Sequence, residues 1–280
     1  MKMRDTKPDF SEPAGAAGER AEALADGDEP PRSEGARPFL DGSHVPLGRG
    51  AACVDLAFII MAVFGLCLVP RVVALLWHRP SLDADPLVAM TLSAALNLAF
   101  VSLLMLGLSR ARRVAFDSTG LWRGDMVGQL TRAVYALLCI YGVVIAQVGV
   151  TLLWAPVAEQ SPRAVGQPGA NPAMALGGAE SMNVITLMLA MSAAAEELLF
   201  RGLLLRYTTY ATRDAWTGIL ASALLFSVFH LPTGPGGALT AMWMALVLGA
   251  FYARYGSLLT VTTAHFLFNW LGVVLMRAPG

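Results

Sequence analysis

The amino-acid sequence predicts an all-α protein, a polytopic transmembrane helical bundle of about seven spans. Three observations carry this. Of 280 residues, 56% are hydrophobic and only 14% are charged, and the mean hydropathy is +0.58; one soluble core cannot hide that much apolar surface. Several apolar runs exceed the ~18 residues that signal a spanning helix. Arginines gather at alternate ends of these runs, as the positive-inside rule requires. A formal net charge of zero, with no single basic face, gives no reason to expect a nucleic-acid partner.

Residues 1–48 are rich in Gly, Pro, Ala, Glu and Asp and show no apolar periodicity, so they are expected to form a disordered cytoplasmic tail. The tail has no apolar signal-peptide core, and retention is expected over cleavage. Residues 49–280 form the predicted transmembrane helical domain, with spans at 51–76, 86–108, 131–155, 182–205, 215–231, 238–255 and 258–276. Trp77, Trp154 and Trp216 fall at span ends, where an indole favours the interface. With the amino terminus inside, Arg49, Arg110, Arg112, Arg113, Arg132, Arg206, Arg213 and Arg254 are among those that lie inside. Only Arg71, Arg79, Arg163 and Arg277 lie outside. The expectation is a multi-pass protein of the cell membrane with a cytoplasmic amino terminus and an external carboxyl terminus.

Cys53, Cys67 and Cys139 lie inside spans without paired spacing, and read as small buried hydrophobes. Asp55, Asn97 and Gln147 in the first three spans read as interhelical hydrogen-bonding groups. The connection from Trp154 to Ser181 carries Pro156, Pro162, Pro168 and Pro172. It reads as an external loop that divides the chain. Chemistry concentrates after it, in residues 181–280.

The fourth span contains Glu196-Glu197-Leu198-Leu199-Phe200-Arg201. Charge at membrane depth is costly, so it marks a functional site by default. Glu197 and Arg201 are four apart with the acid nearer the amino end, the preferred order for an intrahelical ion pair. Glu196 points about 100° away on the helix and lacks that partner. The fifth span carries Phe226 and His230, and the seventh carries His265 and Asn269, each pair one helical turn apart on a common face. Taken singly, either histidine fits an ordinary interhelical hydrogen bond. Depth brings them together: at 1.5 Å per residue from the cytoplasmic span ends, Glu196 lies roughly 15 Å deep, His230 roughly 22 Å, His265 roughly 10 Å and Asn269 roughly 17 Å. A carboxylate beside an imidazole can activate water. A carboxamide and a second imidazole facing one point can donate to the oxyanion of a tetrahedral intermediate. These are parts for amide hydrolysis without a Ser or Cys nucleophile.

The three patterns EExxxR (196–201), FxxxH (226–230) and HxxxN (265–269) resemble, in order and helical setting, those of the CPBP family of intramembrane glutamic endopeptidases. This family comprises the CAAX protease and bacteriocin-processing enzymes and is similar to the Ras-converting CAAX protease. The resemblance covers about residues 181–280. It implies that Glu196 activates water with help from His230, that His265 and Asn269 form the oxyanion site, and that Glu197 and Arg201 are supporting residues that orient the helix and the acid. Gly202 then serves close helix packing. The expected activity is cleavage of a peptide or membrane-associated protein from the cytoplasmic side, with the lipid bilayer as surroundings and no cofactor or metal.

Other readings use the same residues. Glu and two His could ligate zinc in an intramembrane peptidase, although an HExxH helix is absent. Intramembrane Glu and His also mark proton-linked transporters, or could sit in a noncatalytic scaffold; matched broken helices in two halves are not evident. The turn at 232–237 reads as an external connection. Met242, Trp243, Met244 and Trp270 read as packing or lipid contacts.

Overall fold

A computed structural model describes residues 47–77, 86–112, 125–158 and 181–277. The expected tail, and nearly all of the connection after Trp154, lie outside the described residues, as do the side chains of Trp77, Trp154 and Cys67. The described chain is all-helical: α1 (Arg49–Trp77), α2 (Pro86–Arg112), α3 (Met126–Ala158), α4 (Ser181–Glu197), a π-helical segment (Leu198–Leu205), α5 (Arg206–Thr212), α6 (Ala215–Phe229), a 3-10 turn (Leu231–Thr233), α7 (Pro235–Tyr255) and α8 (Leu258–Arg277). α4, the π segment and α5 run on as one rod.

Five stretches among the described residues are long and apolar enough to span a membrane: Met90–Arg112, Met126–Leu152, Met182–Thr212, Pro235–Tyr255 and Leu258–Leu275. α6 is shorter, at 15 residues, and α1 has 29. The protein is a multi-pass membrane protein. Its outward faces carry large apolar side chains such as Leu138 and Ile145, 61% and 68% exposed, surface that acyl chains cover and water would not tolerate. Cys53 and Cys139 belong to this outer face. The expectation that they are buried is corrected, because an apolar span gives no sequence signal for which side meets lipid.

Contacts sort the helix ends into two sets. At one end Arg112 clasps the buried Asp55 with two bonds, Nε to Oδ2 at 2.8 Å and Nη2 to Oδ1 at 2.6 Å, Arg213 donates to the Leu47 carbonyl, and Arg132 lies over the Tyr255 ring. Elsewhere along the bundle, toward the other end, Gln147 meets Thr240 at 3.2 Å, Trp270 donates to Thr186 and Arg277 contacts Met182. Asp55 and Gln147 thus make the interhelical bonds expected of them. Asn97 does not: its Oδ1 is buried without a partner.

The core is centred on the π segment, where Leu199, Phe200, Leu203, Leu204 and Leu205 are all buried. A π-helix widens the backbone and frees carbonyl groups from the regular ladder. The Ser222 hydroxyl of α6 donates to the Phe200 carbonyl at 3.0 Å. α6 approaches this rod closely at Gly218, where an added Cβ would stand 2.8 Å from the Leu205 carbonyl and nearer still to the Thr209 hydroxyl. Gly218→Ala is therefore expected to destabilise the protein by about 1–3 kcal/mol through overpacking. Gly107→Ala, with nothing within 4 Å of the new methyl, should instead be neutral or gain up to ~1 kcal/mol of helix propensity. Thermal unfolding of the two variants in one detergent separates them.

α6 starts at Asp214, whose carboxylate accepts the Trp216 and Thr217 N–H groups and the Thr217 hydroxyl, an N-cap that satisfies orphan donors. The Thr217 hydroxyl first, then the Thr217 and Trp216 N–H groups, hold the Asp214 carboxyl below its ordinary value of 3.8. A depressed carboxylate stabilises the fold fully above the unfolded value and loses that contribution as pH falls through the folded one. Melting temperature should drop below pH ~4 more steeply in wild type than in Asp214→Asn, which caps without titrating.

Candidate active site

α4 delivers its two carboxylates at its last turn, where the backbone changes from α to π. π-bulges recur at functional sites because they redirect side chains within an otherwise regular helix. Here the widened turn holds Arg201 and every neighbour from Leu199 to Leu205 in the interior. Glu197 and Arg201 have fully buried side chains and are joined at 2.7 Å. Arg201 also donates to the Ala245 carbonyl of α7 at 3.2 Å and covers the Phe226 ring of α6 at 5.1 Å. A charge this deep is tolerable only when paired and hydrogen-bonded.

His265 joins the same carboxylate: its Nδ1 lies 2.8 Å from Glu197 Oε1. That oxygen accepts, so Nδ1 carries the proton, and Nε2 is the ring atom turned to Glu196 Oε2 at 3.8 Å. Glu196 is not left alone, as the helical-wheel argument expects. Ser192, one turn earlier, donates to its Oε1 at 3.0 Å, and its Oε2 is buried without a hydrogen-bond partner.

His230 caps α6. Its Nδ1 is 2.9 Å from the Phe226 carbonyl; a carbonyl only accepts, so Nδ1–H donates and Nε2 keeps a lone pair. The Phe226 ring lies 4.4 Å from the His230 ring and 5.9 Å from that of His265, a spacer between the two imidazoles. His230, His265 and Asn269 then line one cavity of about 460 Å³, within the roughly 300–1,000 Å³ range of small-molecule pockets. Glu196 adjoins this cavity through His265 and is not part of its wall.

The rest of the wall comes mostly from α3 and α7, including Tyr141, Val144, Thr240 and Met244. Sequence reasoning missed Tyr141, Thr240 and Ser192 as site residues. Ser192 had a legible signal, its position four residues before Glu196. Tyr141 and Thr240 had none, since interhelical packing alone brings them in. Met244 is not merely a packing residue as expected; it faces the cavity. Among the described residues, no group of three or more His, Cys, Asp or Glu is placed to hold a metal ion.

Residues 179–271 match the Rce1-like family model, described as type II CAAX prenyl endopeptidase Rce1-like. This stretch is similar to the CAAX protease family. The match runs from just before α4 into α8 and contains all three motifs, so it takes in most of the helices that build the cavity. α1 to α3 precede it, although α3 supplies Tyr141 and Val144 to the wall. No curated protein and no solved structure matches the chain. The match supports an intramembrane endopeptidase with a peptide or protein substrate.

Proposed function

We propose that the protein hydrolyses peptide bonds of membrane-associated proteins or peptides with a water activated by Glu196. The observation that carries this is the bare Glu196 Oε2, 3.8 Å from His265 Nε2 and next to a cavity that also presents His230 and Asn269. Glu196 Oε2 takes a proton from water while His230 Nε2 accepts its second hydrogen bond. The water oxygen bonds to the scissile carbonyl carbon, and the carbonyl oxygen becomes an oxyanion. Asn269 Nδ2 donates to it, and His265 flanks it, its ring held by the Nδ1 bond to Glu197. Collapse breaks the C–N bond, and Glu196 returns its proton to the leaving amine. Glu197 and Arg201 hold His265 and the end of α4 in place.

The cavity is lined by the start of α7, the end of α6, the middle of α3 and α8 from His265 onward, away from the ends that carry Arg112, Arg132 and Arg213. With those ends in the cytoplasm, substrate reaches the cavity from the non-cytoplasmic half of the bundle or from the bilayer. A scissile segment must leave helical hydrogen bonding to be attacked, so extended termini and unwound segments are the expected targets.

The test is purified full-length protein on a peptide library, comparing wild type with Glu196→Ala and His230→Ala. Cleavage that needs both residues supports the proposal. Cleavage that survives the loss of Glu196 sinks it. A wild type that cleaves nothing yet binds a membrane protein would make the chain a scaffold.

A further inference from the structure

We infer that Gly272 sets the size of the substrate residue accepted beside the scissile bond. The inference rests on the endopeptidase reading above and deepens it. His265, Phe268, Asn269 and Gly272 form one stripe of α8 along the cavity wall, at the three- and four-residue spacing of a single helical face. Gly272 lies three residues beyond Asn269, about 4.5 Å along the axis. That lies between the reach of one and of two extended residues at ~3.3–3.6 Å each. A substrate whose carbonyl oxygen meets Asn269 has a flanking side chain within reach of Gly272.

A glycine within a helix costs about 1 kcal/mol relative to alanine, so it calls for a reason. Close packing gives one at Gly202 and Gly249, where an added Cβ would meet Met105 at 3.3 Å and Ile219 at 3.2 Å. It gives none at Gly272, where nothing lies within 4 Å. Gly65, Gly107, Gly142 and Gly149 also have open space, but none of them lines the cavity. Gly272 differs from them because its open space is cavity. The missing side chain keeps volume free next to the oxyanion site.

The chemistry of the occupant follows from the wall. Val144, Ala241, Met244, Phe268, Val273 and Leu275 supply apolar surface, and among the described residues no Asp, Glu, Lys or Arg lines the cavity. A charged side chain would lose its hydration there without a partner. A leucine- or phenylalanine-sized group would gain from burial.

The experiment uses full-length protein in detergent micelles and fluorogenic peptides carrying Ala, Leu, Phe or Lys at each position flanking the scissile bond. Wild type, Gly272→Ala, Gly272→Val and Gly272→Leu are compared, with Gly107→Leu as a control for adding bulk to an exposed helix glycine. Wild type should prefer Leu or Phe over Lys at one flanking position. The ratio of kcat/KM for the Phe peptide to that for the Ala peptide should fall stepwise through the series, at least 10-fold by Gly272→Val, and stay at the wild-type value in Gly107→Leu. If Gly272→Leu fails to fold, the Ala and Val variants still decide the trend. A ratio unchanged across the series, while cleavage remains dependent on Glu196, overturns the role of Gly272 and leaves the endopeptidase reading standing. Cleavage independent of Glu196 overturns the reading beneath it.

Discussion

Replacing Glu196 with Gln is expected to lower peptide hydrolysis by about 10²–10⁴-fold, the usual contribution of a positioned general base, while the folded protein survives. The side-chain carbonyl of Gln keeps an acceptor for Ser192, which donates to Glu196 Oε1 at 3.0 Å. It cannot take a proton from water. Because Glu196 is the partly exposed member of the acidic pair and Glu197 the fully buried one, the two should respond differently. Glu196→Gln should leave the melting temperature close to wild type and depress kcat. Glu197→Gln should lower the melting temperature as well, because it weakens the bonds to Arg201 and His265. Paired kinetic and melting measurements check this; equal losses of stability in both variants would count against the division of labour.

Arg201→Ala is expected to cost about 3–5 kcal/mol of stability, the range found when one partner of a buried ion pair is removed. Arg201 is fully buried, bonded to Glu197 and to the Ala245 carbonyl. Its loss strands a carboxylate in the interior and unties α4 from α7. Arg201→Lys keeps the charge but lacks the planar fork that meets two acceptors, so it should recover only part of the loss. The double change Glu197→Gln with Arg201→Met should be more stable than Arg201→Ala, since no uncompensated charge remains. Denaturant unfolding of the three variants in one detergent gives the order.

Much of the helical architecture was legible because a spanning segment announces itself by apolar length. The Glu197–Arg201 pair was legible because both partners sit on one helix at a spacing fixed by backbone geometry. The common cavity of His230, His265 and Asn269 followed from shared depth and shared faces. What stayed hidden depends on contacts between helices. Glu196 reaches the cavity only through His265, and the shared use of Glu197 Oε1 by Arg201 and His265 has no periodic signature. The π segment at Leu198–Leu205 was equally unreadable, since its residues are the apolar ones any buried helix would carry. Cys53 and Cys139 failed for a related reason: in a bilayer both the core and the outer surface are apolar, so composition does not tell inside from outside.

In the proposed mechanism Glu196, without a metal, activates the water that cleaves the peptide. The measurement that tests it most directly is hydrolysis of one fluorogenic peptide by wild type and Glu196→Gln, each treated with a strong chelator. The expected result is undiminished cleavage by the chelated wild type and none detectable above background with Glu196→Gln. Loss of wild-type cleavage on chelation with restoration by zinc, or persistent cleavage by Glu196→Gln, would contradict it.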